Sequence, residues 1–281
     1  MVDWQAPAKV NLSLEVRPPD RSGYHPILSL VQAIEWCDLI GIEIGDEDRL
    51  VVTGADLPEG GDNLVWKAVD RLVGRDRPPL DFRLDKQVAV GAGLGGGSSD
   101  AAAVLTGVAG LLRISDERVV AAAAEVGADV SFFLRGGTAV IEGRGERVSD
   151  LPLLGGFAMA VVVPPFELST PEVYRRWDDL GYPVGRRIQD SDLPPALRGG
   201  PDLRNDLTPA ALSLRPELGD WIADLTDRWG MVIAMSGSGP SLFGLFPNLD
   251  EAASAVGGLP GTARAATSAS LRPVGVALAP V

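Results

Sequence analysis

Val90-Gly91-Ala92-Gly93-Leu94-Gly95-Gly96-Gly97-Ser98-Ser99-Asp100 places five glycines within seven residues. A run like this packs no side chains and loses much entropy on ordering. What it offers is bare backbone N–H groups that a ligand can approach closely. Ala101-Ala102-Ala103-Val104-Leu105 follows at once, with Val108, Leu111 and Leu112 continuing an apolar face at helical spacing. The pattern predicts a helix capped by Ser98, Ser99 or Asp100. A glycine loop feeding a helix N-terminus is an anion site, because free N–H groups and the positive end of the dipole point the same way. The expected anion is a nucleotide phosphate.

Three readings of the loop compete. No lysine follows the glycines, so it is not a Walker A loop. Gly91, Gly93 and Gly96 spell G-x-G-x-x-G, the dinucleotide fingerprint of an NAD-dependent oxidoreductase. That fingerprint needs an acid on a strand about 20 residues further on. Asp116 has the spacing, but Ile114-Ser115-Asp116-Glu117 reads as the start of another helix. The third reading is a flexible turn with no ligand.

Upstream of the loop, residues 7–16 alternate strictly. Val10, Leu12, Leu14 and Val16 form one face, and Lys9, Asn11, Ser13 and Glu15 the other. This predicts a half-buried strand. On this segment alone Lys9 reads as a solvated edge charge. Pro18 to Gly23 is a turn by composition, followed by Tyr24-His25. His25 reads equally as a structural hydrogen-bonding residue or as a ligand contact. An apolar stretch runs from Ile27 to Ile34, and strands are expected at 39–44, 50–53, 80–84 and 88–90, with a helix from Asn63 to Leu72.

Downstream, Ser115 caps a helix ending at Gly127. Gly127-Ala128-Asp129-Val130 leads into an apolar run, so Asp129 is expected to be partly buried; it reads as a helix cap or as a functional acid. Leu151 to Gly156 is the best boundary between two units. Ser169-Thr170-Pro171 opens a helix. Residues 181–204 read as a long surface loop. A second glycine cluster, Ser236-Gly237-Ser238-Gly239-Pro240, stands between strands, and Leu271 to Leu278 reads as a closing strand.

Composition narrows the function classes. The chain has 281 residues, 46% of them hydrophobic, enough for one large domain or two ordinary ones. No stretch approaches the roughly 20 apolar residues of a membrane span. Met1-Val2-Asp3-Trp4-Gln5 resembles neither a signal nor a transit peptide. Cys37 is the only cysteine, which rules out an intrachain disulfide and a thiolate metal cluster, and a cytoplasmic location is expected. A net charge of −13 argues against broad nucleic-acid binding. Oligomeric state leaves no trace in the sequence.

Several segments occur together in one order: Pro7-Ala8-Lys9-Val10-Asn11-Leu12, Gly23-Tyr24-His25, Gly91 to Ser99, Gly127-Ala128-Asp129-Val130, Asn205-Asp206-Leu207 and Ser236-Gly237-Ser238-Gly239-Pro240. In this the chain resembles the GHMP small-molecule kinases over nearly its whole length. Among them it is most similar to those that act on a cytidine diphosphate methylerythritol substrate in the non-mevalonate isoprenoid pathway. Two positions depart from the family pattern. Ala89 stands where a proline usually precedes the loop, and Ser22 where an aspartate usually precedes Gly-Tyr-His.

The resemblance implies an α/β (α+β) fold in two domains. A ribosomal-S5-like ATP-binding domain would span residues 1–152 and a ferredoxin-like domain residues 153–281, with the active site between them. It implies ATP as phosphoryl donor, with Mg²⁺ carried on its phosphates and no dedicated protein metal site. Ala89, Val90, Gly91, Ala92, Gly93, Leu94, Gly95, Gly96, Gly97, Ser98 and Ser99 would hold the phosphates. Asp129 would take the proton of the substrate hydroxyl, with Lys9 beside it. Asn11, Tyr24, His25, Tyr174, Ser238 and Gly239 would bind the substrate, His25 at the cytosine edge and the two tyrosines framing the base. The rivals are a sugar, homoserine or mevalonate kinase of the same family, the NAD-dependent oxidoreductase, and a non-catalytic binding protein of the same fold.

Overall fold

The alternation at residues 7–16 belongs to a longer strand, β1 (Val2–Val16), paired antiparallel with β2 (Ile27–Ile44). The structure, a computed structural model, describes residues 1–198, 203–259 and 261–280. The apolar stretch 27–34 and the strand expected at 39–44 belong to one strand. Its register skips Glu35 and Trp36: Pro7 faces Cys37, and Ala8 faces Ile34. A proline has no N–H to give a ladder and is at home in such an irregularity.

The chain continues through β3 (Arg49–Thr53), α1 (Leu64–Val73), β4 (Leu80–Asp85), α2 (Gly96–Leu112), α3 (Asp116–Val126), α4 (Val130–Phe133), β5 (Thr138–Gly143) and β6 (Arg147–Leu151). Then come β7 (Ala158–Val163), α5 (Thr170–Asp179), α6 (Thr208–Leu214), α7 (Glu217–Trp229), β8 (Ala234–Met235), β9 (Leu242–Phe246), α8 (Leu249–Gly257), β10 (Ala265–Ala269) and β11 (Ala277–Leu278). Among the described residues the strands form two sheets. The first runs β11-β1-β2-β4-β3, with β5 on the early half of β2 and β6 on β5. The second runs β10-β7-β9-β8, antiparallel throughout. The passage between them falls at residues 152–157. The last strand returns to β1, so the end of the chain completes the first sheet.

Helix α2 is the core of the first half. Every residue from Ser99 to Leu105 is buried, as are Gly107, Val108 and Ala109. The sequence suggested one apolar face; burial nearly all round marks a central helix. Its small residues allow close approach to the sheet. A Cβ on Gly107 would come within 2.4 Å of Ile42 Cδ1.

Four local expectations change. Helix α2 begins at Gly96, inside the glycine run, and its N-cap is Gly95 with φ +74°, so neither Ser98, Ser99 nor Asp100 caps it. Residues 88–90 form no strand; Asp38 Oδ1 takes the N–H of Val88 at 2.8 Å in place of a ladder partner. Among 181–204, Ile188, Leu193, Leu197 and Leu203 are buried in an apolar cluster with β1 and β7, joined by a bond from Ile188 N to Leu203 O of 2.8 Å. Irregularly spaced apolar residues gave no period to read, and residues 199–202 lie outside the described part. Of the closing strand expected at 271–278, only β11 forms. Asn63 does cap α1, its side chain accepting from Val65 N at 3.0 Å.

Candidate active site

A cleft of about 650 Å³ opens along the glycine loop. Ala89 to Ser98 line it, together with Lys9, Asn11, Lys86, Asp100 and Asp129 from the first half and Thr170, Tyr174, Gly237 and Ser238 from the second. Gly91, Gly93 and Gly95 all have positive φ. At Gly95 space is denied as well: a Cβ would stand 2.8 Å from Phe133 and 3.1 Å from Lys9 Cγ. The opening turn of α2 has no intrahelical acceptor for its N–H groups, so those of Gly96, Gly97 and Ser98 are available to an anion. Ser99 is fully buried, away from the cleft lining, and its hydroxyl finds no protein partner.

The loop is anchored on several sides. Lys9 N donates to Leu94 O at 2.9 Å. From the second half, Arg264 Nη2 donates to Val90 O at 2.8 Å, Ser236 Oγ to Gly93 O at 3.2 Å, and the N–H of Ser241 to Ala92 O at 3.3 Å. At the loop's two ends lies a buried charge cluster. Lys86 Nζ donates to Asp38 and, at 2.7 Å, to Asp100 Oδ2. Asp38 Oδ1 also accepts the N–H groups of Gln87 at 2.6 Å and Val88 at 2.8 Å. One ammonium faces two carboxylates out of water. Burial, only partly offset by Lys86, pushes Asp100 up to about 7. The two carboxylates together raise Lys86 against its own burial.

Lys9 is almost fully buried on β1. Its ammonium donates to Asn11 Oδ1 and stands 3.6 Å from Asp129 Oδ2. The solvated edge charge expected from the alternation is thus absent: Lys9 and Asn11, from the polar side of β1, line the cleft. Asn11 is held in turn, Nδ2 donating to Ser29 Oγ at 2.8 Å. Asp129 occupies the N-cap position of α4, but its side chain makes no capping bond. Its carboxylate is left to Lys9 and the cleft.

Of the remaining substrate candidates, Tyr174 and Ser238 line the cleft, and His25, Tyr24 and Gly239 do not. His25 Nε2 lies 2.8 Å from Asp178 Oδ1, and its ring centroid is 5.1 Å from that of Tyr174. Burial raises the Tyr174 hydroxyl well above the usual range, with Asp129 adding to the effect. Tyr24 is 46% exposed, with the Arg144 guanidinium 4.9 Å from its ring, and does not line the cleft. Ser22 serves the turn before it, bonding Asp20 and holding that carboxyl down to about 2. Ser238 Oγ meets Thr170 Oγ at 2.7 Å. Gly239, at φ +83°, packs against Met235 and Leu168 rather than lining the cleft.

Known proteins resemble the chain in sequence and in fold. Residues 63–137 match the GHMP kinases N terminal domain and residues 195–263 the GHMP kinases C terminal family. The 4-diphosphocytidyl-2-C-methyl-D-erythritol kinase of Corynebacterium efficiens is 38% identical, over 83% of this chain and 81% of its own. This chain belongs to that kinase family.

Its namesake in Anaeromyxobacter sp. is 41% identical over 89% of this chain and 84% of its own. A solved 4-(cytidine 5'-diphospho)-2C-methyl-D-erythritol kinase superposes with a TM-score of 0.76 at 32% identity, covering 96% of this chain and 98% of that one. A homoserine kinase from Cytophaga hutchinsonii, with TM-score 0.66 and 17% identity, shares the fold. Membership in the GHMP kinases makes the chain an ATP-dependent small-molecule kinase. The oxidoreductase reading of G-x-G-x-x-G falls: Asp116 opens α3 and stands on no strand. Among cleft residues, sequence reasoning missed Lys86 and gave Thr170 no role beyond opening a helix. A lysine five residues before the first glycine of a phosphate loop was the signal available for the first.

Proposed function

We propose that this kinase transfers the γ-phosphoryl group of ATP to the 2-hydroxyl of 4-diphosphocytidyl-2-C-methyl-D-erythritol. The family carries the substrate assignment. The observation that carries the chemistry is the Lys9–Asp129 pair, 3.6 Å apart in the cleft that the glycine loop lines. Phosphoryl transfer asks for positioning and charge stabilisation more than for covalent work. The α2 N-terminus and the loop N–H groups receive the phosphates. The substrate oxygen attacks the γ-phosphorus, its proton passes to Asp129, and ADP leaves with the electrons of the broken P–O bond. Lys9 stabilises the negative charge that develops between nucleophile and phosphoryl group. Asn11 holds Lys9, and the Thr170–Ser238 pair borders the acceptor.

Mg²⁺ fits this cleft as an ion delivered on the nucleotide. Ser98 would offer an oxygen donor of the kind a hard cation takes, with Asp129 left to the substrate proton, while no group of three or more metal-ligating side chains occurs among the described residues. When bound it neutralises phosphate charge. A cytoplasmic setting belongs to the same proposal and is supported by the single cysteine. Coupled ADP release, run against the cytidine acceptor, a sugar, homoserine and mevalonate, tests the assignment. Turnover with the cytidine acceptor alone is the expected result; preference for any other overturns it.

A further inference from the structure

Behind Lys9 and Asp129, a chain of hydrogen bonds runs from the backbone of β1 to the Lys9 ammonium. It starts where the ladder slips. Asn11 faces Val31 and Ser13 faces Leu30, so Leu12 is left without a partner on β2. A bulge of this kind re-aims the side chains around it. Leu30 N donates to Ser13 Oγ at 3.1 Å, and Ser29 Oγ donates to the Ser13 carbonyl. Asn11 Nδ2 donates to Ser29 Oγ at 2.8 Å, and Lys9 Nζ donates to Asn11 Oδ1. Ser29 is fully buried and lies outside the cleft lining.

The groups allow this chain only one direction. A backbone carbonyl only accepts, so the Ser29 hydroxyl gives its one proton to Ser13. The hydroxyl is then an acceptor toward Asn11, and the amide must turn its nitrogen to it. The amide oxygen is left pointing at Lys9, an ammonium that only donates. Reversed, the amide would set N–H groups against that ammonium. Held as it is, the ammonium stands 3.6 Å from Asp129 Oδ2. We propose that Ser29 is a positioning residue for phosphoryl transfer: it fixes the Asn11 amide with its oxygen toward Lys9 and so keeps the ammonium beside Asp129. This rests on the reading of Lys9 and Asp129 as the catalytic pair.

Turnover by Ser29→Ala should fall by about tenfold or more, the scale of one buried amide left unpaired. KM for ATP and for the acceptor should stay near the parent, because Ser29 lies outside the cleft. Thermal unfolding checks the fold. Should the alanine variant not fold, Ser29→Cys, which fills the space with a weakly bonding sulfur, takes its place under the same expectations. The deciding measurement is the same substitution made in Lys9→Met. There Ser29 has no ammonium left to hold, and its loss should cost little further turnover. Equal fold-losses in the two backgrounds, a loss carried by KM, or a parental kcat in a folded Ser29 variant each overturn the proposal while the catalytic pair stands. Parental turnover in Lys9→Met overturns the catalytic pair, and the role of Ser29 with it.

Discussion

Lys86 and Asp100, which flank the glycine loop in sequence, are joined by a hydrogen bond of 2.7 Å beneath it. The stem of the glycine loop is thereby closed by a buried polar contact. That closure has a pH signature. In the folded chain Asp100 keeps its proton up to about 7, against an ordinary value of 3.8. Between those values the folded state binds more protons than the unfolded one, so this group's contribution makes stability fall as pH rises from about 4 to about 7 and level off above. Asp100→Asn keeps the shape and stays neutral throughout. The melting temperature of the parent relative to the variant is expected to decline between pH 5 and 8. A flat difference would mean that Asp100 titrates as an ordinary carboxylate.

Gly95→Ala should cost ATP affinity without unfolding the chain. The added Cβ meets Phe133 at 2.8 Å, in a backbone conformation, φ +74°, that alanine adopts with strain. Strain of this kind runs to about 1–3 kcal/mol, and relief would turn the loop away from its phosphate-binding form. Calorimetric titration with ATP is expected to show at least about a tenfold loss. Unchanged affinity would place the phosphates elsewhere.

Asp129→Asn leaves the cleft its shape and removes the proton acceptor. Turnover should fall by roughly 10²–10⁴, the usual contribution of a positioned base, with ATP affinity near the parent. Lys9→Met should also slow turnover. The double variant should lose less than the product of the single losses, because the two act as a unit. Near-parental turnover in Asp129→Asn would remove it from the chemistry.

Cys37 should resist alkylation. Burial pushes its thiol up to about 11, although Arg272 nearby pulls the other way. The thiolate is the nucleophile, so the folded chain at pH 8 presents little of it. Mass spectrometry is expected to find the folded protein unlabelled by iodoacetamide over a time in which denatured chain labels fully. Equal rates would show that the site opens freely.

What could be read from sequence was what is local. The glycine run carries its meaning within a dozen residues, whereas the alternation alone made Lys9 a solvated edge charge and the junction left Asp129 a cap or an acid; the cleft brings the two to 3.6 Å. The cluster of Lys86, Asp38 and Asp100 was illegible because its members are up to 62 residues apart and each alone is an ordinary charge. The His25–Asp178 contact spans 153 positions. The start of α2 escaped for a different reason: glycine is a poor helix former, so nothing local suggested that Gly96 and Gly97 were already helical. Tertiary support decides there, through the anchors on either side.

Those anchors also fix how the molecule can move. Val90, Ala92 and Gly93 give their carbonyls to Arg264, Ser241 and Ser236 of the other half. A hinge that swung the two halves apart along this seam would tear three acceptors from their donors. The three bonds oppose such a swing. On the proposed binding mode, nucleotide would arrive at a seat already built, and its binding energy would not be diverted into assembling one.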